Sequence, residues 1–215
     1  MSKTIYIILT ISIQFIMAST HEYPDGWNEL QSNEGWTLIA ESDRGVVYGK
    51  DMDLSPISAF RLELISDVSV EKLIETAWLI EKAPDIFPNA YITQSGIYRQ
   101  ISDTSLTGYQ LIDVPVLAER LYQFNSIKKG NSIHWCRTDT LDSNFNPLEY
   151  MIPQVNFGSW EVQKYGTQSK LIYRICTDPG GYIPAWIVEL ANKRYLPLML
   201  LDLEKYAQTQ LDNLQ

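Results

Sequence analysis

The chain has 215 residues, 45% of them hydrophobic and 20% charged, which is the balance of one ordinary soluble domain with or without a short tail. Its 17 Lys and Arg face 26 Asp and Glu, a formal charge of −9. That acidic excess argues against non-specific nucleic-acid binding and against docking on anionic lipid through a basic patch.

Met1–Thr20 differ in character from the rest of the chain. Lys3 is their only charge, and Ile5–Ala18 is an apolar run of 14 residues interrupted by Thr10, Ser12 and Gln14. A bilayer span needs about 20 apolar residues, so this run is short for one. A basic start, a brief apolar core and small residues at Ala18–Ser19 describe a secretory leader over residues 1–19. A secreted or periplasmic destination follows from that expectation, with a single domain over residues 22–215.

Strand-like runs then alternate with turns. Trp36–Ser42 and Val46–Asp51 flank Asp43-Arg44-Gly45, a hairpin signal, and Ala59–Ile65 supplies a third strand. Val70, Leu73, Ile74, Ala77 and Trp78 recur at helical spacing after Ser69, a residue suited to cap the helix. Pro84 and Pro88 are expected to end that helical segment. Ala90–Ile101, Leu106–Asp113, Arg120–Lys128, Ser132–Thr140, Ser159–Tyr165 and Lys170–Thr177 read as further strands. The turns between them are short, as in an antiparallel meander, apart from a longer loop at Asp142–Asn156. After Asp178-Pro179-Gly180-Gly181, Pro184 suits a first helical turn. Ile183, Trp186, Ile187, Leu190, Arg194, Leu198 and Leu201 then recur at helical spacing, with Pro197 inside. Strands first and a long helix last give an α+β layout.

Few residues point to catalysis. There is no G-x-S-x-G elbow, P-loop or H-E-x-x-H. Asp51/Asp53 and Asp139/Asp142 fall at strand ends and turns, where Asp is common for backbone reasons. Cys136 and Cys176 form no C-x-x-C pair, so a zinc or redox motif has little support. No cofactor is expected.

The segment Tyr173-Arg-Ile-Cys-Thr-Asp178-Pro179-Gly180-Gly181-Tyr-Ile183-Pro184-Ala-Trp186 resembles the closing segment of START domains, the StAR-related lipid-transfer family of the Bet v 1-like superfamily. Gly35-Trp36-Thr-Leu38 and Gly45-Val-Val-Tyr48 are similar to that family's first two strands. Pro115 with Arg120 matches its Pro…Arg-Asp element, except that Leu121 replaces the Asp. The resemblance spans about residues 34–210. It implies a helix-grip fold: a curved antiparallel sheet of about nine strands wrapped around a long C-terminal α-helix, with an internal hydrophobic cavity. It also implies a non-catalytic carrier or sequestering protein, monomeric, that takes a lipid or sterol and touches membranes transiently.

Within that implied fold the Trp186, Leu190 and Arg194 stripe of the closing helix faces the ligand. Val116 and Leu117, in the apolar run Val114–Ala118, would form a lid. His134 and Arg137 point to opposite faces of one strand, so one of the two faces inward and the sequence leaves open which; Arg99 and His134 are the candidate ligand-binding residues. Either could serve the alternative reading, a helix-grip enzyme of the aromatase/cyclase type, which needs an inward Arg, His or Tyr over a substrate carbonyl. A partner-binding module with a filled, dry interior is a third possibility. The implied strand order places Cys136 and Cys176 two strands apart, roughly 10 Å at the usual strand spacing. A disulfide needs Cα atoms within about 7 Å, so two free buried thiols are expected.

Overall fold

A computed structural model describes residues 23–42, 45–115, 117–139, 145–146, 148–181 and 183–212. The expected leader, residues 1–19, lies outside these residues, as does Val116.

The hairpin forms as Thr37–Glu41 (β1) and Gly45–Met52 (β2), and Ser55–Ser66 (β3) extends it. Val70–Trp78 (α2) comes next, and the Ser69 side chain accepts a hydrogen bond from the Lys72 amide at 3.3 Å. This helix stops at Leu79, ahead of the prolines. Ile80–Lys82 makes one 3-10 turn, and Ala83–Ile86 (α3) carries Pro84 in its first turn. Pro84 therefore opens a helix where it was expected to close one, because its missing N–H costs nothing at that position.

Ile92–Ser102 (β4), Ser105–Ile112 (β5), Arg120–Lys129 (β6), Ser132–Arg137 (β7), Val155–Tyr165 (β8) and Gln168–Asp178 (β9) complete the sheet. Strand β8 begins four residues before the expected Ser159, because Val155 and Asn156 already pair with Asp178 and Thr177. The order is β1-β2-β3-β9-β8-β7-β6-β5-β4, with every neighbouring pair antiparallel. The long closing helix Ala185–Asp212 (α4) packs on β3 and α2. This is the helix-grip architecture the resemblance implies.

Alternation along each strand assigns the faces. Register aligns Val47, Leu62, Tyr173, Trp160 and Ile133 in one row across β2, β3, β9, β8 and β7. All five are buried in the main core, which Leu196, Leu200, Leu203 and Ala207 of α4 close from the other side. Gly158, between Trp135 and Ile175 in the next row, has no alternative. A Cβ there would overlap the Arg174 carbonyl oxygen and the Trp135 indole.

The convex face has its own apolar cluster. Trp27–Gln31 (α1), which the sequence patterning did not reveal, lays Trp27 and Leu30 over Ala59, Cys136, Phe157 and Cys176. Cys136 and Cys176 both oppose Phe157, one from each flanking strand. Both are buried thiols outside any disulfide, separated by β8 as the strand order requires. Beside them the same face carries an ion-pair network. Glu161 pairs with Arg174 at 2.8 Å, and Glu63 pairs with Lys170 at 2.5 Å and with Arg61.

Candidate functional site

Between the concave face and α4 lies a cavity of about 260 Å³. The sheet floor is built by alternate residues. Phe124 and Ser126 come from β6, Ile133 and Trp135 from β7, Trp160 from β8, and Tyr173 and Ile175 from β9. Ala77, Leu79, Ile80, Ala83 and Phe87 of the α2–α3 segment close one end. Helix α4 contributes Ala191, Asn192, Tyr195, Leu196 and Met199 as the roof. Tyr91, Ile112 and Val114 flank the other end, where the Tyr91 and Tyr195 rings meet edge to face at 5.8 Å.

The aromatic floor is tightly interlocked. Tyr173 stacks on Trp160 at 4.1 Å and on Trp135 at 5.5 Å, and Phe87 lies parallel to Trp160 at 6.1 Å. Polar groups gather under the strand-to-helix turn. Asn156 and Thr177 are register partners at the start of β8 and the end of β9, and Tyr122 and Gln110 are register partners on β6 and β5. Burial pushes the Tyr122 phenol up, with Thr177 and the Arg120 charge acting against it. Burial, and then the neighbouring Tyr122, push Tyr173 up as well. Both phenols therefore remain neutral hydrogen-bonding groups at physiological pH.

The turn above them is held from beneath. Gly180 and Gly181 adopt φ of 71° and 80°, a conformation that glycine adopts without strain. The Gly180 amide donates to the Asp178 carboxylate at 2.9 Å. Arg120 is only 4% exposed. Its Nε donates to the Pro179 carbonyl at 3.2 Å and its terminal nitrogen to the Ala118 carbonyl. One buried guanidinium thus ties the Asp178–Gly181 turn to the loop after β5. It uses main-chain oxygens where the family pattern carries an Asp at position 121.

No family model matches this chain, and no curated protein does. Solved structures do match. A STAR-related lipid transfer protein from Xanthomonas axonopodis aligns at a TM-score of 0.69 and 18% identity, over 81% of this chain and 99% of that one. The fold is that of the START domains. Human STARD10 aligns at a TM-score of 0.73 and 15% identity, over 91% of this chain and 84% of that one. The Zhui aromatase/cyclase from Streptomyces sp. R1128 aligns at 0.55 and 12% identity, over 71% of this chain and 94% of that one.

Within the START-type frame, several expected site residues lie elsewhere. Trp186 and Leu190 are 66% and 61% exposed, and Arg194 is exposed with them. They sit outside the cavity lining, one to two positions off the stripe that forms the roof. The first half of α4 is apolar on several sides, so apolar spacing alone did not select the inward one. Arg99 is exposed on β4, beyond a register shift between Ile97 and Arg99 that interrupts the regular alternation. His134 belongs to the convex face. Its Nδ1 lies 2.8 Å from the Tyr23 hydroxyl, and its ring lies 4.9 Å from that of Trp27. Arg137 shares the face of Trp135 but pairs with Asp139 at 2.7 Å and is not in the lining. Leu117 is half-buried in a turn closed by its amide on the Val114 carbonyl at 3.1 Å, and Val114 touches the cavity. The residues that line it instead, such as Tyr122, Trp135, Asn156, Trp160 and Thr177, had one sequence signal. In Ile133-His-Trp135 the apolar positions already mark the inward parity.

Proposed function

We propose that the protein binds one hydrophobic small molecule of the lipid or sterol class between its sheet and α4, as a carrier or sequestering protein. The observation that carries this reading is the cavity itself. Its described lining contains no Asp, Glu, Lys, Arg, His or Cys and is dominated by aliphatic and aromatic side chains. Apolar surface entering such a space gains about 25 cal/mol per Å² before the costs of association. Ligand pockets of this kind are mostly apolar with a few placed polar groups.

The START-type neighbours support the carrier reading, and one of them carries lipid transfer in its name. The cyclase reading rested on Arg99 and His134, and both lie outside the cavity. A transient membrane contact during loading is part of the proposal. It is supported by the exposed Trp186, Ile187 and Leu190 on the same helix that roofs the cavity. A secreted or periplasmic location is likewise proposed, from the composition of Met1–Thr20.

Blocking the cavity tests the reading. Ala83 is buried in the lining, so Ala83→Trp should fill the space. Titration with dehydroergosterol and with a pyrene-labelled fatty alcohol should give saturable binding to the full chain and none to the variant, with circular dichroism confirming the fold. Equal binding by both proteins would put the ligand elsewhere.

A further inference from the structure

The polar groups of the cavity are unevenly placed, and their chemistry is selective. Ala77, Ala83, Phe87 and Trp160 make one end almost wholly apolar, while Asn156, Thr177 and Tyr122 collect under the Asp178–Gly181 turn. The Thr177 hydroxyl oxygen is buried and has no hydrogen-bond partner. The Tyr122 phenol lies beside it, near enough that a Thr177 hydrogen bond acts against the burial that pushes the phenol up, although the pair falls short of good hydrogen-bond geometry. A buried hydroxyl without a partner costs roughly 1–3 kcal/mol, and native folds seldom leave one without a reason.

The neighbouring cations stand outside the lining. Arg120 donates to two main-chain carbonyls, and Arg137 pairs with Asp139 through one terminal nitrogen while its buried Nε has no hydrogen-bond partner. A charged headgroup entering this space would lose its hydration and meet no free counter-ion among the described lining residues.

Resting on the carrier reading, we propose that the cavity selects an uncharged ligand with a single hydroxyl or carbonyl head, which docks on Thr177, Asn156 and Tyr122 while its apolar body lies toward Ala83 and Phe87. The selection is against carboxylate- and phosphate-headed lipids.

Three probes with one tail isolate the head: 1-decanol, decanoate and decyl phosphate, titrated at pH 8 into the full chain. Trp135 and Trp160 line the cavity, so their fluorescence reports occupancy. Decanol should bind about tenfold tighter than either anion, since burying an unpaired charge is far costlier than burying a bonded hydroxyl. Thr177→Val should weaken decanol roughly three- to tenfold, the net worth of one hydrogen bond. Thr177→Ser should restore it. Tyr122→Phe gives an independent loss if the valine variant does not fold. Decanoate or decyl phosphate binding as tightly as decanol would overturn the selectivity and leave the carrier reading standing. Decanol preference that survives both Thr177→Val and Tyr122→Phe would overturn the assigned dock. Failure of all three probes to bind would overturn this inference and the carrier reading together.

Discussion

Gly158 carries more of the site than its size suggests. It lets the Trp135 ring lie flat across β8, and that ring is part of the cavity floor. Gly158→Ala must displace both the indole and the Arg174 carbonyl. Overpacking of this kind costs about 1–3 kcal/mol, so urea unfolding should show that loss, and fluorescence titration of a bound probe should weaken with it. Arg120 makes a different demand. Arg120→Met keeps the volume but removes the donors to the Pro179 and Ala118 carbonyls, a loss of about 1 kcal/mol per hydrogen bond. Hydrogen exchange should then rise at residues 178–181 and 113–119 together and stay unchanged in β2 and β3. Much at this scale was legible in advance. The Asp178-Pro179-Gly180-Gly181 segment ahead of the closing helix was readable, as was the Ser69 cap from its place before an apolar helical pattern. Individual facing was not. His134, Arg99 and Arg194 read as candidates because they are chemically capable, and capability says nothing about which side of a strand or helix a residue occupies.

Helix α4 shows why elements are easier to find than to orient. Its length and its start were legible, because Pro184 and the apolar spacing are local signals. Its rotation is set by what it packs against. Leu196, Leu200, Leu203 and Ala207 are buried against the sheet and α2, and that fit turns Ala191, Tyr195 and Met199 toward the cavity and Trp186 and Leu190 away. Paired substitutions separate the two faces. Ala191→Trp should abolish probe binding while thermal unfolding changes little, because the bulk enters a space rather than a packed contact. Leu190→Ser, on the exposed side, should leave binding of a soluble probe unchanged in the same titration. The short α1 was invisible for the opposite reason. Five residues carry too little periodicity, and its position comes from Trp27 and Leu30 meeting Cys136, Phe157 and Cys176 across long sequence separation. Most strand ends were found to within two residues because alternation and short turns are local, although β3 and β8 begin four residues before the expected Ala59 and Ser159 and β7 ends three before Thr140; their order came from the family resemblance.

The whole molecule is a two-faced sheet, and buried groups on both faces set its response to pH. On the convex face burial pushes the Cys136 thiol to about 11 and the Cys176 thiol to about 12. A raised folded pKa means full stability below the unfolded value, near 9, and loss as pH rises toward 11 and 12. The buried phenols of Tyr122 and Tyr173 act in the same direction. Burial alone would raise the Glu161 carboxyl, but hydrogen bonds from Gln163 and Arg174 and the charges of Arg174 and Arg61 together hold it low. Its contribution is present above the ordinary carboxylate range and fades as pH falls through the lowered value. Urea midpoints measured from pH 3 to 11 should therefore decline at both extremes, and a thiol reagent at pH 8 should label neither cysteine until the protein unfolds. The concave face decides the function, because the proposed carrier role requires the space under α4 to be filled by one apolar molecule. Native mass spectrometry of the full chain, purified without detergent and then extracted with organic solvent, tests this most directly. One uncharged hydrophobic molecule per chain, missing from Ala83→Trp, is the expected result. A bare chain that also takes up neither dehydroergosterol nor decanol would contradict the carrier role.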